Sequence, residues 1–138
     1  MADTISPPTA LFAALERFDD AAAIRAIEAG GDVNARDSRP YMGDGRSPLH
    51  VAAMSNNAAM ITILLEAGAK ANATDDMGQT PLWLACSNAD YRAVEALLAG
   101  GADASIPARS GGTPMEYVSK QIGRYMAVLT ALERNEGG

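Results

Sequence analysis

The chain is short of the residues on which most small catalysts and metal sites depend. It has one cysteine, Cys86, and one histidine, His50. A single cysteine excludes an internal disulfide, and one His with one Cys falls short of the ligand set of a zinc site. No metal or other cofactor is expected. Lysine occurs only as Lys70 and Lys120, and the formal net charge is −6. That balance offers no basic face to a phosphate backbone and disfavours nucleic acid as the main partner. No apolar run is long enough to span a membrane, and no membrane partner is expected. The segment Met1 to Pro8 carries Asp3 and no basic leader region. With no leader and no disulfide, the reducing cytoplasm is the expected compartment. The preference for Arg over Lys and the abundance of Ala are read as bacterial, from a GC-rich genome.

What is present is a repeated phrase. Ser47-Pro48-Leu49-His50-Val51-Ala52-Ala53 returns 33 residues later as Thr80-Pro81-Leu82-Trp83-Leu84-Ala85-Cys86, and after a further 33 as Thr113-Pro114-Met115. A fixed period of that size marks a stacked repeat. Within each copy the hydroxyl residue caps a helix, and the following Pro costs no hydrogen bond at the first helical position. Asn56-Asn57 break the first helix of the second copy. A second helix is expected from about Ala58 to Ala67, with Ala58, Ile61, Leu64 and Leu65 at helical spacing. Gly68 ends it, and Ala69 to Gly78 form a polar finger leading to Thr80. The third copy repeats these parts: Tyr91, Val94, Leu97 and Leu98 form its second apolar face, and Gly101 follows Gly68 by 33 residues. The fourth is altered: Tyr125, Val128, Ala131 and Leu132 stand one residue late, and Arg134-Asn135 replace the stopping Gly. The first is disguised as Thr9-Ala10-Leu11-Phe12, with Ile24, Ile27 and Gly30. Gly30 precedes Gly68 by 38 residues, so the first finger, around Ser38 to Arg46, carries extra length.

These motifs, with Leu64-Leu65-Glu66-Ala67-Gly68-Ala69 and Leu97-Leu98-Ala99-Gly100-Gly101-Ala102-Asp103, resemble the ankyrin-repeat family. The resemblance covers four repeats from Thr9 to about Arg134. It implies an all-α solenoid of stacked helix-turn-helix repeats joined by β-turn fingers. Residues 1–8 are expected to be a flexible tail and residues 9–136 one domain, with repeats at about 9–41, 42–76, 77–109 and 110–136. The departures are Ala10 for Pro, Trp83 and Glu116 for His, Lys70 for Asp, and the long first finger. The resemblance also implies that His50 braces neighbouring loops.

One helix pair cannot bury its own apolar face, so each repeat must complete its neighbour. Stacking leaves an extended concave surface, and four repeats occupy nearly all of the 138 residues. A protein-binding module without catalysis of its own is therefore expected, read as a monomer in which an end repeat could self-associate. A sharper version is a bacterial effector, or an inhibitor of a specific enzyme. The rival of a different class is an enzyme using His50 or Cys86, which would need both on one open face. Asp75-Asp76 are read as solvated turn acids rather than a cation site. Gly43-Asp44-Gly45-Arg46-Ser47 lacks the Gly-Lys-Ser/Thr ending of a phosphate loop.

The long first finger gathers Arg36, Arg39, Tyr41, Met42 and Arg46, and Arg and Tyr are favoured at interface hot spots. Its local positive charge suggests an acidic patch on the partner. The competing reading is an insertion whose Tyr41 and Met42 fold back onto repeat two. Met77 and Gln79 tip the second finger and Arg109 the third. Met54, Ser87 and Asn88 end first helices, where family members commonly contact ligands. Trp83 is read either as an aromatic anchor for a partner or as a brace between fingers.

Overall fold

The computed structural model describes residues 8–41 and 43–137. The expected tail lies outside them except for Pro8, and so does Met42. Among the described residues there are seven helices and two isolated antiparallel bridges, Asp37 with Arg46 and Ala108 with Gly112. The helices are α1 (Ala10–Glu16), α2 (Asp20–Glu28), α3 (Pro48–Met54), α4 (Ala58–Glu66), α5 (Pro81–Ser87), α6 (Tyr91–Ala99) and α7 (Pro114–Gly137). None is long and apolar enough to cross a membrane.

The first six helices form three hairpins, and local chemistry sets where each helix starts and stops. Thr9, Ser47 and Thr80 accept from the backbone N–H groups of Phe12, His50 and Trp83, capping the first helix of each pair. Asp19, Asn57 and Asp90 cap the second helices in the same way. Between the two helices one residue takes a left-handed backbone: Phe18, Asn56 and Ala89, with φ of 58°, 56° and 57°. After each second helix Gly30, Gly68 and Gly101 turn the chain at φ of 91°, 100° and 92°. The amide of the next residue then reaches back to the helix, as Ala69 N–H does to the Leu64 carbonyl at 2.9 Å.

The hairpins stack in order. α1, α3, α5 and the start of α7 form one row, and α4 packs on α6 in the other. One apolar cluster runs through all three hairpins, from Leu11 and Leu15 through Leu49, Ile61 and Leu64 to Leu82, Ala93 and Leu97. Ala52, Ala53 and Ala85 are buried within it, and their small side chains let the first helices approach closely.

The fourth copy departs from the expected hairpin, because α7 continues unbroken for 24 residues. In the earlier copies a left-handed residue precedes an Asp or Asn cap. Here the corresponding segment is Ile122-Gly123-Arg124, which contains no side chain able to accept from a helical N–H. Nothing competes with the i to i−4 bonds, and the helix carries on.

Gly68 tests the role of the stop residue cleanly, since a Cβ there would meet nothing within 4 Å. Any cost of Gly68→Ala is therefore backbone strain, offset in part by lower unfolded-state entropy. Urea denaturation should show a net loss of about 1 kcal/mol.

Candidate protein-binding surface

The cap phrase positions one ring per repeat. His50 is fully buried. Its Nε2 lies 2.8 Å from the Gln79 carbonyl, and the Ser47 N–H donates to Nδ1 at 3.1 Å. A carbonyl can only accept, so Nε2 carries the hydrogen and Nδ1 accepts. Trp83 occupies the same place one repeat later, and its Nε1–H donates to the Gly112 carbonyl at 3.0 Å. Both bonds run to the residue just before the next repeat's Thr. Trp83 thus keeps the bond that His makes and adds ring area, packing on Tyr117 with centroids 4.9 Å apart. At 7% exposure it is a brace between repeats and not an anchor for a partner. Phe12, the counterpart in the first repeat, is also fully buried.

The first finger is held by carboxylates. Asp37 N–H donates to the Arg46 carbonyl at 2.8 Å, closing the bridge at its base. The Asp37 carboxylate accepts from the Arg39 N–H at 3.1 Å and from its Nε at 2.9 Å. Bonding to Arg39 holds the Asp37 carboxyl below the usual carboxylate range despite burial. Arg39 also pairs with Glu16 on α1, tying the extra length of this finger to the first hairpin. Gly43 is required here, because any Cβ would strike the Asp37 backbone and carboxylate. Arg39, expected among the contact residues, is only 8% exposed and serves inside the finger.

The other two arginines are also paired. Arg36 donates to the Gly45 carbonyl at 3.0 Å and meets Asp76 at 3.3 Å. Arg46 lies 3.6 Å from buried Asp75 and 3.9 Å from Asp44. The positive charge of the finger is therefore matched by Asp37, Asp44, Asp75, Asp76 and Glu16, and the reason for expecting an acidic partner is gone. The turn acids Asp75 and Asp76 act structurally. Asp75 Oδ1 accepts from the N–H groups of Met77 and Gln79, shaping the second finger.

Backbone bonds join the fingers. Asp76 N–H donates to the Asp44 carbonyl at 2.9 Å, linking first to second, and Arg109 N–H donates to the Met77 carbonyl at 3.0 Å, linking second to third. Sequence reasoning missed this ridge. Its only sequence signal was the regular spacing of the turns. Tyr41 projects from the first finger at 99% exposure and does not fold back onto repeat two. Met77 is 48% exposed and Arg109 is exposed. On the helix ends Met54 is 41% exposed, and the Asn88 side chain donates to its carbonyl at 3.4 Å. Ser87 is half-buried, with its hydroxyl bonded to the Leu84 carbonyl. Gln79 is half-buried and contributes its carbonyl to His50.

Neither His50 nor Cys86 is poised as a base or a nucleophile. Both His50 ring nitrogens are engaged by Ser47 and Gln79, and burial pushes the Cys86 thiol up, away from the reactive thiolate. Among the described residues no three His, Cys, Asp or Glu side chains cluster as a metal site would need.

Residues 10–108 match the family described as ankyrin repeats (3 copies). The chain belongs to the ankyrin-repeat family, whose repeats serve as protein-interaction modules. It is similar over 72 residues, at 44% identity, to the potassium channel KOR1 of Oryza sativa subsp. japonica; the aligned part is 52% of this chain and 8% of the channel. Over 54 residues it is 44% identical to human protein fem-1 homolog C, covering 39% of this chain and 8% of that protein. Over 56 residues it is 38% identical to the E3 ubiquitin-protein ligase KEG of Arabidopsis thaliana, covering 41% of this chain and 3% of the ligase. The chain thus spans under a tenth of the length of each of these relatives.

Burial holds the His50 pKa below the 6.5 of a free imidazole. The unfolded chain therefore binds the proton first, and His50 contributes stability in full above about pH 6.5. As pH falls below that value stability should decline, by up to about 1.4 kcal/mol per pH unit, until the depressed folded pKa is reached. Urea titrations across this window should show the slope in the native chain. In a His50→Gln variant, which has no histidine left, the slope should be lost.

Proposed function

We propose that the chain recognises another protein along the ridge formed by its joined fingers and across the first helices to the C-terminal ends of α3 and α5, with Tyr41 as the main anchor. The observation that carries this reading is the full exposure of an aromatic ring on a finger that is otherwise tied down by Asp37, Arg39 and Glu16. An exposed ring on a rigid support gives large contact area at little entropic cost on binding. Met77 and Met54 extend the apolar contact, and their flexible thioethers adapt to a partner's shape. Arg36 and Arg109 belong to the polar rim, and Arg36 is preset by its bond to the Gly45 carbonyl.

The test is site-specific photo-crosslinking in a lysate of the source organism. A crosslinking residue at position 41 or 77 should capture one partner, and the same residue at Thr62, on the exposed face of α4, should not. Tyr41→Ala should weaken purified partner binding by roughly 30-fold, the effect of removing an anchor worth about 2 kcal/mol. Equal capture from Thr62, or unchanged affinity of the Tyr41→Ala chain, would overturn the reading.

A further inference from the structure

Two apolar surfaces at the carboxyl end of the stack face no neighbour among the described residues. One is a cleft of about 360 Å³ between α6 and the first part of α7, lined by Leu82, Cys86, Tyr91, Val94, Leu98 and Val118. Tyr91 and Leu98 are 64% and 48% exposed there. The other is the distal half of α7. Every described side chain from Ile122 to Arg134 is exposed, and Ile122, Met126, Val128 and Leu132 present 56%, 57%, 57% and 56% of their surface. These four fall on one broad face of the helix.

The two surfaces are counterparts. In the preceding repeat α4 covers one side of α6, and a second helix of the fourth repeat would cover the other. The residues able to form that helix are in the distal half of α7. A continuous helix of 24 residues is about 36 Å long and carries its distal half beyond its own cleft. Doubling back would require a break near Gly123. That break would forfeit helical hydrogen bonds at a point where Arg124 offers no acceptor to cap a new helix.

We propose that the chain forms a two-fold dimer in which each α7 lies antiparallel to the other and places its distal half over the partner copy's α6 cleft. The arrangement is isologous: each copy donates one segment and accepts one, so the contact closes and no open filament grows. It leaves α7 continuous, and it covers Met126 and Leu132 together with Tyr91 and Leu98 of the partner copy. Tyr41 and Met77 on the fingers are not among the residues that line the cleft, so the dimer would display these anchors twice, and a divalent partner would gain avidity.

The test is light scattering of the full chain from low-micromolar to near-millimolar concentration. The native chain should rise to the mass of two copies. Met126→Glu with Leu132→Glu, on the donated face, should lower the association constant by at least about tenfold. Tyr91→Glu with Leu98→Glu, on the accepting face, should do the same. All four sites are exposed, so helical circular dichroism should be retained in both variants. Mixing the two double variants should restore part of the dimer, because one of the two segment-cleft contacts is then intact. A chain that stays monomeric at every concentration overturns the proposal, as does a dimer that survives both double substitutions. Gly123→Ala, which stiffens α7, should preserve the dimer; conversion to monomer would point to a hinged closure of each chain on itself and against exchange.

Discussion

No helical hairpin in this protein can bury its own apolar face, and the rest of the structure follows from that. Leu49, Ile61 and Leu64 are fully buried only because neighbouring repeats lie against them. The cost of ordering each hairpin is met across an interface, so stability is shared along the stack. The ring N–H bonds of His50 and Trp83 act at the same joints. Each ties one repeat to the carbonyl that precedes the next repeat's cap, which sets spacing as well as adding a hydrogen bond. Because the joints are fixed, the fingers come close enough for backbone bonding, and a row of loops becomes one supported surface.

Much of this was legible in the residues. Ser47, Thr80 and the glycines at 30, 68 and 101 marked the helix starts and stops, because caps and left-handed turns demand particular side chains. Trp83 was ambiguous until its partner was seen, since an indole suits both an exposed anchor and a buried brace. The charge on the first finger was misleading for a physical reason. Arg36 meets Asp76 across 40 positions of sequence, and Arg46 meets Asp75 in the next finger. A local surplus of arginine says nothing about carboxylates delivered by a neighbouring repeat. Glu16, on α1 and 23 positions from Arg39 in sequence, is another such partner.

The fourth repeat shows where periodicity alone fails. Apolar spacing in the distal part of α7 suits a second helix, but spacing does not create a turn. The earlier hairpins turn at Phe18, Asn56 and Ala89 because Asp19, Asn57 and Asp90 follow as caps. Without such a cap the local backbone preference wins, and an apolar face is left without cover among the described residues. The absence of one short acceptor side chain thus decides whether the stack ends as a closed cap or as an extended arm.

The claim that stacking converts separate fingers into one rigid ridge is tested most directly by hydrogen exchange at two amides. Asp76 N–H and Arg109 N–H bond across fingers and belong to no helix. They should exchange as slowly as amides inside α3 and α5, opening only when the stack itself opens. Exchange at the rate of an unprotected loop amide, with the helices still protected, would show that the fingers move independently and contradict the account.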